Sequence, residues 1–272
     1  MDSAKGSTER TSWEKLSWTQ IEQLNRDATT IIIPTGAIEQ HGPHLTIDTD
    51  IYNSDAISRA VAKKVTAQRV LVAPPIWWGT SPHHLGFPGT ISLTNETFTS
   101  ILVETISSLK PHGFYRFLIV NGHGGNIGNL TATVSKIGEE LGISIPALSY
   151  WQTIIKTLIE VGESEIGGMG HACEMETSLA LYLRPEDVDM SAAIVDMPKQ
   201  PTPWSCIDFR QPGFLAIPLD LKRDSKAGII GNPLLASAEK GAKIFTAAVD
   251  AISAAIDGMS HLTKNDLTTS RY

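Results

Sequence analysis

Short runs of apolar, β-branched residues alternate along this chain with longer segments of helical period, and this alternation restricts the fold more than any other feature. Residues 30–34 (TIIIP) are apolar at nearly every position rather than at every second one, which predicts a strand buried on both faces. Such strands occur in parallel sheets covered by helices on each side. Residues 70–73, stopped by Pro74 and Pro75, give a second strand, residues 117–120 a third and residues 143–147 a shorter fourth. Between the second and third, Thr94 or Asn95 caps a helix that carries Phe98, Ile101, Leu102, Ile106 and Leu109 at helical spacing. Residues 127–141 and 236–256 read as further helices. The expected class is therefore α/β with a mainly parallel sheet.

No repeat, low-complexity run or linker suggests a cut, so residues 1–272 are expected to form one domain. Residues 197–233 are irregular and rich in proline and glycine, the composition of a functional or interface loop, and from residue 263 onward a frayed tail is expected. Hydrophobic residues at 42% and charged residues at 19% fit a packed globular core. A net charge of -7 without any basic run argues against a nucleic-acid partner. Cys173 and Cys206 form no disulfide framework or thiolate metal motif. The polar amino terminus lacks the apolar stretch of a signal peptide, and no run is long enough to span a bilayer. A cytoplasmic protein without membrane attachment is expected.

The chemistry concentrates where strands end. EQHGPHLTIDTD, residues 39–50, leaves the first strand at its carboxyl end, where open parallel sheets place their ligands. Glu39 and His41 stand two apart, so an extended backbone points them the same way, and the Gly42–Pro43 turn can return Asp50 to them. His123, in VNGHGGN, follows the third strand at the same edge. GHACEMETS, residues 170–178, offers His171 and Glu176 ahead of an apolar helical stretch. Singly, each has a structural explanation: loop histidines, an N-cap for Asp50, a helix-dipole partner for Glu174 and Glu176. The joint occurrence at one edge points instead to a metal centre. The glycines of GHGGN could also serve a nucleotide loop in a noncatalytic regulator, but no G-x-G-x-x-G or P-loop lysine accompanies them.

PTGAIEQHGPHL with Asp50, GTSPHHLGFPGT (residues 79–90), VNGHGGN, GHACEMETS and GIIGNPLLASAEKG (residues 228–241) occur in an order that resembles the creatininase family. The resemblance runs from about residue 30 to 241. It implies a three-layer α/β sandwich, two divalent metal ions per subunit (zinc and/or manganese, with iron also suited to the ligand types), hydrolysis of an amide or cyclic amide, and a homohexamer. Position by position, it makes Glu39 and His41 ligands of different metals, Asp50 the carboxylate between them, and His123 a further ligand. Where creatinine-cleaving members carry a glutamate two residues after that histidine, this chain has Gly125, and Glu176 is expected to complete the second metal. A tryptophan expected shortly before the third-cluster histidine is replaced by Gly167, Gly168 and Gly170, which argues against creatinine as substrate.

The expected activity is hydrolysis of a C–N bond in a small-molecule amide by a metal-bridged hydroxide, with His171 protonating the departing nitrogen and Glu176 assisting at the metal. His84, Trp151 and Gly124 are the expected substrate contacts. Formamide deformylation, peptide cleavage and lactone or ketone cleavage are alternatives within the same chemistry.

Overall fold

The computed structural model describes residues 10–199, 202, 204–211 and 213–269. The polar segment 1–9 read above, four positions of the irregular stretch (Gln200, Pro201, Pro203 and Pro212) and residues 270–272 lie outside the described residues. In chain order the elements are α1 (Trp18–Glu22), β1 (Thr29–Thr35), α2 (Thr49–Lys64), β2 (Arg69–Val72), α3 (Asn95–Leu109), β3 (Phe117–Asn121), α4 (Ile127–Leu141) and β4 (Ala147–Ser149). They continue with α5 (Ile155–Val161), β5 (Met169–His171), α6 (Glu174–Leu183), α7 (Leu221–Asp224), β6 (Ile230–Gly231), α8 (Ala238–Gly258) and α9 (Lys264–Leu267).

Four strands pair in parallel in the order β2-β1-β3-β4, so the chain makes the crossovers that helices can cover on both faces. The unbroken apolarity of β1 now has its cause. Ile31 and Ile33 point to one face with Phe117 and Ile119, where Phe98, Leu102 and Ile106 of α3 and Ile137 of α4 close over them. Ile32 points to the other with Val70, Val72 and Leu118, beneath Ile57 and Val61 of α2, Leu179 of α6 and Ile244 and Ile252 of α8. Each such side chain, once out of water, stabilises the fold by roughly 1.5–3 kcal/mol. The result is helix–sheet–helix layering around a parallel sheet, as expected.

Three boundaries differ from the reading of the sequence. The fourth strand begins at Ala147, not at residue 143, because Pro146 offers only its carbonyl, which accepts from Ile119 N; Ile143 instead bridges Thr268. α8 starts at Ala238 rather than at residue 236, after the Ser237 side chain accepts from Lys240 N. The expected frayed tail is ordered to Thr269. α9 carries a capping box between Thr263 and Asp266, Leu267 is buried, and Thr269 N donates to Gly142 O. The described residues between 197 and 233 are largely irregular, interrupted by α7 and by β6, which pairs antiparallel with β5. Among the described residues no helix is long and apolar enough to cross a membrane.

Candidate metal centre

β1 and β3 are neighbours at the centre of the sheet, so the segments that leave their carboxyl ends emerge side by side. The first supplies Glu39 and His41 and turns at Gly42, whose φ of 66° lies in the left-handed region glycine adopts without strain. It then enters α2 with Asp48 at the N-cap position and Asp50 in the first turn, so Asp50 is inside the helix and not its cap. The second segment supplies His123. Two asparagines shape it: Asn121 accepts from His123 N and donates to His123 O, and Asn126 donates to Gly36 O and accepts from Thr80 N. A third segment, β5 into α6, supplies His171 and Glu176. The kink between them falls on Ala172, a buried alanine with φ 48°, a left-handed conformation costing roughly 1–2 kcal/mol.

These side chains converge. His123 Nδ1 lies 2.9 Å from Asp50 Oδ2 and 3.3 Å from Glu39 Oε1, and His41 Nε2 lies 3.1 Å from Asp50 Oδ1 and 3.9 Å from Glu176 Oε1. Donor atoms gather within 4.8 Å of one another in four sets: Glu39 with Asp50 and His123, His41 with Asp50 and Glu176, Glu39 with His41 and His171, and Glu39 with His83 and His84. Asp50 is common to the first two sets and is the carboxylate between them. All five expected ligands, and His171 and His84 besides, therefore sit in one cluster. Gly124 is exposed at its rim with open space where a Cβ would be. Trp151 is buried, edge-on to Tyr150 at 5.2 Å and 5.0 Å from the Phe209 ring, within the same core layer as Ile32 and Ile244.

Gly125 fits this arrangement by necessity. A Cβ there would fall against the His123 ring, 2.5 Å from Thr80 O and 2.8 Å from His83 Cε1, so no glutamate can be built on this backbone. Glu176 reaches the second set from the opposite side, on α6.

Ordinary hydrogen bonding leaves the cluster incomplete, and this is what tests it for an ion. His41 Nδ1 lies 3.1 Å from Glu39 O, so it carries the proton and leaves the Nε2 lone pair facing Asp50 and Glu176. His123 Nε2 lies 3.1 Å from Thr80 O and from Ser81 Oγ, so its Nδ1 lone pair likewise faces Asp50 and Glu39. His41 Nε2, Glu39 Oε2 and Asp50 Oδ2 are buried with no hydrogen-bond partner. Lone pairs facing lone pairs in a buried site require a cation between them, and an imidazole whose far nitrogen donates to a backbone carbonyl is the arrangement of a metal ligand. The residues present fit divalent ions.

The electrostatics agree. Burial pushes the Glu39 carboxyl up, but His123 and His84 bring it down to about 2. Burial disfavours charge on His41, yet Asp50, with Glu176 and Glu39, raises it to about 10. Burial likewise opposes charge on His123, whose pKa Glu39 and Asp50 nevertheless raise. Burial pushes Glu176 up; His41 opposes this and Asp50 and Glu39 reinforce it, leaving it at about 7. In the ion's absence protons serve as the counter-charge, so ion binding and proton release are coupled. Burial, reinforced by His41, holds His171 down at about 3, and burial holds His84 down despite Glu39.

Comparison with known proteins follows the same lines. The family model for creatininase, creatinine amidohydrolase, matches residues 14–256. The chain belongs to the creatininase family. A mycofactocin precursor peptide peptidase of Mycobacterium tuberculosis is 34% identical over 238 residues, 84% of either chain. A creatinine amidohydrolase of Pseudomonas putida is 30% identical, covering 89% of this chain and 94% of its own length. A 3-dehydro-scyllo-inosose hydrolase of Thermotoga maritima is 32% identical, over 72% of this chain and 63% of that protein. Among solved structures, the manganese form of creatininase superposes with a TM-score of 0.80 at 27% identity, covering 93% of this chain and all of the other. The protein is thus a creatininase-family hydrolase, and its donor cluster lies on the segments whose motifs resemble that family.

The reading of the sequence missed Gln40, Asn121 and Asn126. Each amide fixes backbone or imidazole groups of the centre and is buried. The only signal was their place inside the motifs, where an amide between two ligands is indistinguishable from a spacer.

Proposed function

We propose that this protein is a binuclear metal-dependent amidohydrolase that cleaves a C–N bond of a small amide or cyclic amide. The observation that carries the proposal is the pair of imidazole lone pairs, on His41 and His123, aimed at buried carboxylate oxygens without partners. Glu39, Asp50 and His123 would hold one ion and His41, Asp50 and Glu176 the other. When bound, two divalent ions supply a hydroxide nucleophile at neutral pH and polarise the scissile carbonyl. Mixed carboxylate and imidazole donors suit zinc, manganese or iron, and solved creatininase structures include a manganese form and a mutant zinc–zinc form.

The chain's own contribution is orientation and proton handling. Asp50 ties the two donor sets into one frame at the start of a sixteen-residue helix, α2. His171, 3.7 Å from Glu39, is held neutral at working pH. It is placed to take the proton released by the attacking water and pass it to the departing nitrogen, without which an amine is a poor leaving group. His84 and the open rim at Gly124 would meet the substrate.

A second reading, cleavage of a peptide, is favoured by one observation. A Cβ at Gly167 would meet nothing within 4 Å, although one at Gly168 or Gly170 would fall against backbone, so the first of these three glycines leaves room where a lid tryptophan is expected and a longer substrate could enter there. The peptidase relatives support the same reading. The exposed side chains Trp204, Phe214 and Leu215 in the irregular segment support assembly into a homo-oligomer, a hexamer by family resemblance, which light scattering would measure.

The test is metal content by elemental mass spectrometry, followed by a panel of cyclic amides, formamides and short peptides. About two divalent ions per chain and chelator-sensitive cleavage of cyclic amides or formamides are expected. Cleavage of peptides alone would transfer the proposal to the second reading. No bound ion, even after zinc or manganese is added, would overturn both.

A further inference from the structure

Gln40 stands between two expected ligands and is itself buried, 6% exposed. Its amide is held by two groups whose polarity is fixed. Gly42 N, which can only donate, lies 2.9 Å from Oε1, and Gly228 O, which can only accept, lies 2.8 Å from Nε2. These two contacts assign the amide orientation without appeal to any titrating group.

The rest follows by counting hydrogens. Gln40 Nε2 has two; the first is used on Gly228 O. The second has two nitrogens within reach, His84 Nδ1 at 2.9 Å and His171 Nε2 at 3.0 Å. His171 Nε2, however, also lies 2.8 Å from the backbone carbonyl of Gln40, which can only accept, so His171 Nε2 carries a proton and cannot receive another. The second amide hydrogen therefore goes to His84 Nδ1. A neutral imidazole has one N–H, so that of His84 is on Nε2, which lies 3.4 Å from Glu39 Oε1. His171, protonated on Nε2, turns its Nδ1 lone pair toward the same Glu39 oxygen, 3.7 Å away.

We infer that Gln40 is a positioning residue that sets opposite roles for two adjacent histidines, through its side chain at His84 and its backbone at His171. His84 is a donor that orients the Glu39 carboxylate, and His171 presents a lone pair to the site. Their rings are 4.4 Å apart, so sequence proximity to a ligand cannot distinguish their roles; the one amide does. The inference rests on the metal-centre reading for its consequence, but the tautomers themselves depend only on the hydrogen-bond network.

The experiment is a long-range ¹H–¹⁵N correlation spectrum of the full chain, labelled with ¹⁵N-histidine and loaded with diamagnetic zinc, in which His84 and His171 are assigned from single His→Asn variants. Nε2–H is expected on both. Gln40→Glu replaces the donor facing His84 with an acceptor, so His84 is expected to move to Nδ1–H while His171, held by the backbone, stays at Nε2–H. Gln40→Met removes the side-chain partner altogether and is expected to leave His84 in a mixture of tautomers. In either variant turnover should fall about 10–100-fold with KM and zinc content little changed, the size of effect of losing an outer partner of a ligand. Nδ1–H on His84 in the unaltered protein, or an unmoved His84 in Gln40→Glu, would overturn the inference. If Gln40→Glu does not fold, the unaltered protein and Gln40→Met still decide it. Failure of the hydrolase reading would appear separately, as absence of turnover with the nitrogen shifts as expected.

Discussion

Glu174 and Glu176 sit in the same first turn of α6, both buried, and have opposite surroundings. Glu174 is fully occupied: it accepts from Glu163 N and Ser164 N, from the Ser164 hydroxyl, and from Lys240 Nζ. Its pKa is lowered, since Lys240 and Ser164 overcome the effect of burial. Glu176 has a weak thiol contact from Cys173 at 3.8 Å and a distant imidazole, and burial beside Asp50 and Glu39 raises its pKa to about 7. A buried carboxylate with all its partners is part of the frame, whereas Glu176, with one weak partner, is left to serve as the ligand proposed above. Glu174, with the Asp208–Arg210 pair that grips Ser164 O, Glu165 O and Gly167 N, fastens the glycine-rich stretch that leads into β5.

The sharpest way to break this comparison is at Asp50, the carboxylate shared by two donor sets. Asp50→Asn should take turnover to background and lower the metal content by at least one ion per chain, read by elemental mass spectrometry; full metal content would remove Asp50 from the bridge. Next is the helical pair. Glu176→Gln should reduce turnover by at least the roughly 10–100-fold that loss of an outer partner costs, with stability little changed. Glu174→Gln should do the reverse, lowering stability by about 1–3 kcal/mol in urea unfolding while metal content holds. If both variants lose metal equally, the distinction between frame and site is wrong.

A smaller effect is expected in pH dependence, with ions removed by chelation. Glu176, raised from 4.5 to about 7, favours the folded state when protonated, so its contribution is complete below 4.5 and lost as pH rises through 7. His41, raised from 6.5 to about 10, contributes fully below 6.5 and loses its contribution toward 10. His171, held at about 3, and His84, also held down, act the other way, adding stability as pH rises toward 6.5, so the melting temperature of stripped protein should fall only above about pH 6.5, on to pH 9, and Glu176→Gln should make it rise more steeply with pH between about 5 and 7. Glu174 acts in the other direction, its stabilisation present above 4.5 and lost in acid. The smallest expected effect is at the rim. Gly124→Ala should change stability by less than about 0.5 kcal/mol, because its Cβ meets nothing, and a rise in KM there would place the substrate against it.

Much of the frame was legible because periodicity reports burial directly: β1 to β3 and three of the four long helices, α3, α4 and α8, follow from apolar spacing and caps. What misled was partnership at a distance. Nothing local shows that Thr268 would bridge Ile143 and tie down the carboxyl-terminal segment, since that contact depends on how the sheet edge is left after Pro146. The expected ligands were legible as residue types gathered at strand ends, and the fold brings them into one cluster. The roles of Gln40 and Glu174 were not, because an amide or a carboxylate declares its role only through the groups it meets in the fold. Trp151 looked like a pocket residue from its motif, while its place in space is in the core layer beneath the sheet.

The layering also sets an order for synthesis. β1 and the segment carrying Glu39, His41 and Asp50 leave the ribosome early, but the face of the sheet that bears Ile32 is closed in part by α8, near the end of the chain. Until that helix emerges, the nascent chain carries all five expected ligands beside an apolar surface that is still bare. The donor residues are thus all made before the apolar face behind them is closed, and the frame that holds them is completed only when α8 docks.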